Sequence, residues 1–372
     1  MEPIAVYVHI PFCPSKCGYC DFNSYAMQGD IVGQTVDAIV RDIESSPIAG
    51  VPAKTIFFGG GTPTFLEAGQ LLRVFEAVLE THPPIQNAEI TSEANPGTVD
   101  AQKFVQMKRA GFNRISLGAQ SFNKEDLLRL ERVHEPGDIE RSVAAAREAG
   151  FDNINVDLMF ALPLQNFHGW RQNLHKAINL GTAHLSLYCL TIEPGTSFFK
   201  RYHRGELELA PEDQQVEMYE LAIEACREAG LEQYEISNFA KPGKECLHNL
   251  EYWRARPYAA YGPGAVSCLV DSEGTTVRET RIKHPRKYSE ALEAGESPVA
   301  EAEALAEQTL ELERIMLGLR LSEGVSANRS TLDEKGVEFC QESGWIEAES
   351  DTIRLTPAGR HFCSEVVARI TS

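Results

Sequence analysis

The sequence is poor in positive charge: 35 Lys and Arg stand against 54 Asp and Glu, a formal net charge of −19. Nucleic-acid binding needs a basic surface to neutralise phosphates, so no nucleic-acid partner is expected. Long apolar runs are also missing, and none approaches the roughly 20 residues of a membrane-spanning helix. Contact with a membrane would therefore come only peripherally, through a partner protein. The opening residues, Met1-Glu-Pro-Ile-Ala, carry no basic stretch, and no secretory leader is expected ahead of Cys13. Nine cysteines among 372 residues are too few and of the wrong parity for a disulfide framework. A reducing, cytoplasmic location follows as an expectation. Low-complexity segments are absent as well. What remains is a globular chain, 43% hydrophobic, long enough for a large core and more than one domain.

Against that background the cysteines that are present cluster. Cys13-Pro-Ser-Lys-Cys17-Gly-Tyr-Cys20 places three thiols on one short loop just after a strand-like segment. A structural zinc or a conventional four-iron cluster takes four protein ligands. Three leave one coordination position open, where an exchangeable ligand binds. An iron–sulfur cluster with one exposed iron fits this run. Structural zinc stays open as an alternative, with His9 or Cys246 as a fourth ligand, although no second Cys/His pair stands at zinc-finger spacing.

The first two-thirds alternates strand and helix. Strands are expected at Ile4–Ile10, Lys54–Phe58, Glu89–Glu93, Arg114–Gln120, Asn153–Phe160 and His184–Leu190, with helices between them, as at Leu71–Leu79 and Lys103–Ala110. Three helices should close at Gly111, Gly150 and Gly230, each followed by an apolar residue that packs back. This rhythm predicts an α/β fold with a parallel sheet and right-handed crossovers, and so many units predict a partial (β/α) barrel. Residues alternate faces along a strand. Ile4, Val6, Val8 and Ile10 oppose Tyr7 and His9; Ile154, Val156 and Leu158 oppose Asn153, Asn155 and Asp157. The apolar faces should meet the helices and the polar faces should line an open, ligand-filled interior. A two-layer sheet with one solvated face is the alternative.

Functional loops of such a fold follow the carboxyl ends of the strands. The cysteine loop follows the first. Gly59-Gly60-Gly61-Thr62-Pro63-Thr64 follows the second; it lacks the spacing of a Walker loop or a dinucleotide fingerprint. Glu93 ends the third, Gln120 the fourth, and Asp157 lies on the fifth.

Together Tyr7-Val-His-Ile-Pro-Phe-Cys13, Cys17, Tyr19, Cys20 and Gly-Gly-Gly-Thr-Pro-Thr resemble the radical S-adenosylmethionine superfamily, and more narrowly the branch of oxygen-independent coproporphyrinogen III oxidase and its relatives. The resemblance covers nearly the whole chain. It implies a [4Fe–4S] cluster on Cys13, Cys17 and Cys20, with S-adenosylmethionine chelating the open iron. By the same matching, Tyr7, Tyr19, Gly60, Gly61, Thr62 and Glu93 correspond to positions that contact this cofactor. Gln120, Arg132 and Asp157 correspond to contacts of a second S-adenosylmethionine in the oxidase.

Two departures from the oxidase stand out. Phe22 occupies the place of its further cysteine, and little sequence precedes the first strand. Both features, with His248-Asn-Leu-Glu-Tyr252-Trp253 and the glycine-rich Tyr261–Ser267, resemble the HemW-type haem chaperones. That resemblance implies haem binding and transfer to an acceptor protein, here unknown; the alternative it leaves is a radical enzyme that decarboxylates a porphyrinogen. His248 is a candidate haem ligand, since neutral imidazole binds iron well, with Tyr252 and Trp253 packing on the porphyrin. His248 as a backbone-bonded core histidine and Trp253 as ordinary core are equally open; His9, His184 and Cys246 are lesser candidates.

The pattern changes after a hydrophilic connector near Val270–Ser297. Domains are expected at 1–230 (barrel), 231–300 (connecting segment with the histidine motif) and 301–372. The last reads as a helix over Glu301–Leu319, a second over Leu332–Ser343, a small hairpin and a closing helix from about Pro357 to Ile370, resembling a winged-helix-like α+β domain. With 14 acidic residues and 7 Lys or Arg it nets −7, which opposes DNA binding. A lid, a partner-docking surface or plain packing remain as its uses.

Overall fold

Alternation along the first strand decides how the sheet is covered. Ile4, Val6, Val8 and Ile10 are all buried on the helix side of β1 (Ile4–Ile10). β1, β2 (Ala53–Gly60), β3 (Pro84–Ala94), β4 (Arg114–Gln120), β5 (Asn153–Phe160) and β6 (His184–Cys189) run side by side in sequence order, all parallel. The computed structural model describes residues 2–327, 331–349 and 351–371.

Helices Asp30–Glu44, Ala68–Thr81, Ala101–Ala110, Pro136–Glu148 and Phe167–Asn179 connect these strands and bury Ile39, Val74, Phe104, Val143 and Trp170 against the sheet. The expected stop at Gly111 forms, with φ 122° and Phe112 N donating back to Met107 O at 3.1 Å.

The sheet extends further than the sequence suggests. Beyond β6 lie β7 (Glu232–Gln233) and β8 (Asn238–Ala240); beyond β1 lie β9 (Tyr258–Tyr261), β10 (Val266–Val270), β11 (Thr276–Arg281) and β12 (Val299–Ala304). Twelve strands result, with β12 and β7 at unjoined edges, so the barrel is partial and open. Two sequence expectations are corrected. The hydrophilic stretch 270–297 is not a bare connector: it holds β11 and a helix, Pro285–Glu293. The helix expected over Glu301–Leu319 begins only at Glu307, because Glu301–Ala304 pair with β11. Alternating Ala and Glu favour helix in isolation, but an exposed edge strand also tolerates glutamates, whose charges discourage further pairing.

This extension is pinned to the first helix by a buried node. Asp42 Oδ2 accepts hydrogen bonds from Arg281 Nε (2.8 Å), Tyr288 OH (2.7 Å) and Gly262 N (3.1 Å).

The C-terminal unit has helices Glu307–Gly318, Glu334–Glu342 and Cys363–Ile370 around a three-stranded antiparallel sheet of β13 (Val325–Ser326), β14 (Ile346–Glu349) and β15 (Thr352–Leu355). This is the winged-helix-like arrangement, with its own core of Ile315, Leu319, Ile346, Ile353, Leu355, Val366 and Ile370. The closing helix starts at Cys363, preceded by a 3-10 turn over Gly359–Phe362. It joins the barrel through Ser322 N to Tyr234 O (2.9 Å) and the Arg254–Glu323 pair (3.0 Å). Among the described residues, no helix is long and apolar enough to cross a membrane.

Candidate functional site

The loop leaving β1 is shaped by its backbone. Phe12 bridges to Tyr25, Cys13 N donates to Tyr25 O at 3.1 Å, and Cys20 N donates to Cys17 O at 3.2 Å. Lys16 Nζ ties the loop down on Phe22 O (2.9 Å) and Ser24 O (3.1 Å). Cys13, Cys17 and Cys20 are half-buried, unpaired, and line one wall of a cavity of about 560 Å³ inside the barrel. Burial pushes the Cys13 and Cys20 thiols up, and the neighbouring thiols add to it. Among the described residues no three His, Cys, Asp or Glu side chains close on a single point as a zinc site requires.

The glycine loop seals the adjoining wall. Gly60 has φ 102°, and a Cβ there would lie 2.3 Å from the His9 imidazole, so only glycine fits. His9 Nε2–H donates to Asn23 O (2.9 Å) and Nδ1 accepts from Tyr7 OH (3.0 Å). Gly60 N donates to Glu93 Oε2 at 3.1 Å, and Gly61 N to Ile10 O at 2.8 Å. Thr62 Oγ1 lies 3.4 Å from Cys13 Sγ and accepts from Asn95 Nδ2 at 2.7 Å. Asn95 Oδ1 in turn accepts from Arg132 Nη2 (2.8 Å), whose Nη1 donates to Cys17 Sγ at 3.7 Å. Arg132 also bonds Gly118 O. A side chain at Gly118 would meet Asn95 Oδ1 at 2.8 Å, so the bare backbone there makes room for this relay.

Two carboxyls face the same space. Burial, reinforced by Asp157, pushes Glu93 up to about 8. Burial also raises Asp157, opposed by hydrogen bonds from its neighbours, Asn155 Nδ2 at 2.6 Å and Ser116 Oγ at 3.3 Å. Tyr7 and Tyr19 are raised by burial too, so both stay protonated phenols. Gln120 projects from a left-handed backbone, φ 62°.

The structure brings Tyr7, Cys13, Cys17, Tyr19, Cys20, Gly60, Gly61, Thr62, Glu93, Gln120, Arg132 and Asp157 to this one cavity, with His248 and Tyr252 on its wall. His248 is fully buried in the helix Leu247–Trp253; its Nδ1 pairs with Thr55 Oγ1 (2.8 Å) and its Nε2 with Tyr252 OH (2.9 Å), and the ring stacks on Phe57. Burial and nearby Arg114 push it down to about 3, so the ring is neutral. Trp253 lies outside the cavity wall, beneath the Arg320 guanidinium at 4.7 Å. His9, His184 and Cys246 are buried behind the wall, His184 between Asn155 Oδ1 (2.6 Å) and Tyr234 OH (2.8 Å). Sequence reasoning missed Asn95, Arg114 and Met159, which also line the cavity. Asn95 was the most findable, two residues past Glu93 at a strand end.

An open (β/α) barrel with three cysteines on the loop after β1 is the architecture of one superfamily. The radical SAM superfamily profile matches residues 7–177, and the HemN C-terminal domain profile residues 305–362. This is a radical SAM fold, and that fold implies a [4Fe–4S] cluster and S-adenosylmethionine. The solved coproporphyrinogen III oxidase HemN of Escherichia coli superposes with a TM-score of 0.85 over 100% of this chain and 90% of its own, at 22% identity, a likeness of fold. Sequence relatives narrow the assignment. The heme chaperone HemW of Escherichia coli is 41% identical over 77% of this chain and 76% of its own length. The heme chaperone HemW of Bacillus subtilis is 36% identical over 97% of both chains, and that of Mycobacterium tuberculosis H37Rv 34% over 98% and 94%. The chain belongs to the HemW family.

Proposed function

We propose that this protein is a haem chaperone, which binds haem and passes it to an acceptor protein while carrying a [4Fe–4S] cluster with exchangeable S-adenosylmethionine. The observation that carries the reading is near end-to-end similarity to proteins of that name, 36% identity over 97% of both chains. Cys13, Cys17 and Cys20 hold the cluster; Tyr7, Tyr19, Gly60, Gly61, Thr62 and Glu93 contact its S-adenosylmethionine, and Gln120, Arg132 and Asp157 match contacts of a second. The division into a barrel (1–230), a motif-bearing segment (231–300) and a C-terminal domain (301–372) belongs to the same proposal. So does a cytoplasmic location, which nine unpaired cysteines support.

The chain's own residues do identifiable work. Arg132 brings a buried cation to Cys17 and offsets thiolate charge, while Asn95 fixes its fork. Glu93, raised by burial, accepts from Gly60 N and, when protonated, adds no negative charge beside the ligand. His9 and the Gly60 turn set the depth of the cradle. Cys13, Cys17 and Cys20 would hold the cluster so that one iron is left for exchangeable S-adenosylmethionine, and the bound cluster would supply redox chemistry there. His248 is the proposed haem ligand; its Nε2 becomes free for iron once the Tyr252 hydroxyl swings away. Phe22, 59% exposed at the cavity rim, stands where the oxidase-type cysteine would, which disfavours porphyrinogen decarboxylation.

The test is haemin titration of the anaerobically reconstituted protein, followed by incubation with an apo-haemoprotein and, on the same sample, with coproporphyrinogen III under reducing conditions. A Soret band, haem transfer and unchanged coproporphyrinogen are expected, and Cys17→Ala should lose the iron and sulfide. Absence of haemin binding and transfer overturns the chaperone reading; protoporphyrinogen formation replaces it with the enzyme.

A further inference from the structure

Arg114 is a buried cation with no assigned task. It is the first residue of β4, 2% exposed, yet its side chain borders the cavity. A guanidinium carries five donors in a planar fork and stays charged in proteins. Here Nε finds no hydrogen-bond partner. The nearest carboxylate oxygen, Glu89 Oε2, stands 3.9 Å from Nε, beyond hydrogen-bond reach. Glu89 is already engaged by Leu247 N (3.1 Å), His248 N (3.0 Å) and Cys246 Sγ (3.6 Å). Two further acids of the cavity, Glu93 and Asp157, are engaged by Gly60 N and by Asn155 and Ser116. Arg114 therefore has Glu89 as a long, buried ion-pair partner but no hydrogen bond at Nε, and such a buried charge is costly unless a further acceptor completes it.

We infer that Arg114 is the anchor for a carboxylate of a guest in the barrel interior, received in the two-point manner of a guanidinium–carboxylate pair. Position narrows the guest. Arg114 starts β4 and Gln120 ends it, so six residues, roughly 20 Å of strand, separate Arg114 from the cysteine-loop end. A carboxylate engaged at the thiols does not reach it. A flat tetrapyrrole, which carries its propionates on one edge, presents them to this end of the cavity. A second S-adenosylmethionine offers the same carboxylate chemistry. The tetrapyrrole assignment rests on the haem-chaperone reading; the carboxylate site itself does not.

The experiment uses the reconstituted full chain, with haemin, haemin dimethyl ester and S-adenosylmethionine as probes, on wild type, Arg114→Gln and Arg114→Lys. If a propionate is the partner, haemin binds at least tenfold more weakly to Arg114→Gln, the dimethyl ester binds wild type as weakly as that, and S-adenosylmethionine affinity is unmoved. A loss of S-adenosylmethionine affinity with haemin unmoved assigns the carboxylate to the second source and keeps the anchor. Both affinities within twofold of wild type, in a variant of native circular dichroism and iron content, overturn the inference. Where Arg114→Gln fails to fold, Arg114→Lys, which keeps the charge and loses the fork, is read by the same criteria. A wild type that binds no haemin refutes the chaperone reading alone, and the S-adenosylmethionine arm then decides Arg114.

Discussion

Tyr252→Phe is the most informative single change, because it should move stability and haem affinity in opposite directions. The phenol hydroxyl is 2.9 Å from His248 Nε2 inside a wall where His248 is 1% exposed. Phenylalanine keeps the ring and its edge contact with Tyr258, 4.6 Å between centroids, and removes only that hydrogen bond. The net worth of such a bond is about 1 kcal/mol, so the unfolding free energy should fall by that amount, read as a lower urea midpoint at unchanged slope. The same bond competes with iron for the Nε2 lone pair. Removing the competitor should therefore tighten haemin binding by the same about 1 kcal/mol, or roughly fivefold. The assay is paired: urea unfolding followed by tryptophan fluorescence, and haemin titration followed at the Soret maximum. Equal or weaker haemin binding alongside the stability loss would refute ligation by His248 and leave it a core histidine spanning Thr55 and Tyr252.

Three further outcomes are expected. Gly60→Ala meets both a left-handed backbone, φ 102°, and the His9 ring at 2.3 Å, so it should cost roughly 2–5 kcal/mol and lower the iron retained after anaerobic gel filtration; wild-type iron content and midpoint would contradict the cradle geometry. Glu93 titrates near 4.5 when unfolded and near 8 when folded, so the native state holds its proton longer. Its stability contribution is complete below pH 4.5 and is lost as the pH rises to about 8. Glu93→Gln should flatten that decline, checked by urea midpoints from pH 4 to 9, and parallel profiles would count against it. Asp42→Ala leaves Arg281 buried without its acceptor and should cost roughly 3–5 kcal/mol, whereas Asp37→Ala, at the half-exposed pair with Arg73, should cost about 0–1 kcal/mol; similar midpoints for the two would refute the buried node.

The local signals were legible because their physics is local. Cysteine spacing depends on one loop, strand alternation on a period of two, and the stop at Gly111 on one left-handed residue. These alone give the parallel β–α order, the polar interior and the three-thiol loop. Tertiary contacts decided the rest. β11 and β12 are stabilised by each other and by β10, so Thr276–Arg281 and Val299–Ala304 carry no private strand signal, and alternating Ala and Glu read as helix until the pairing partner is present. Arg114, Asn95 and Arg132 lie on different segments, and only strand register brings them to one cavity with Cys17 and Thr62. The sequence determined which chemistry-bearing residues exist and that three thiols share one short loop. The tertiary structure decided which of them share a space, which carboxyls burial neutralises, and that His248 has both nitrogens engaged, because burial and distance between remote segments are properties of the packed chain.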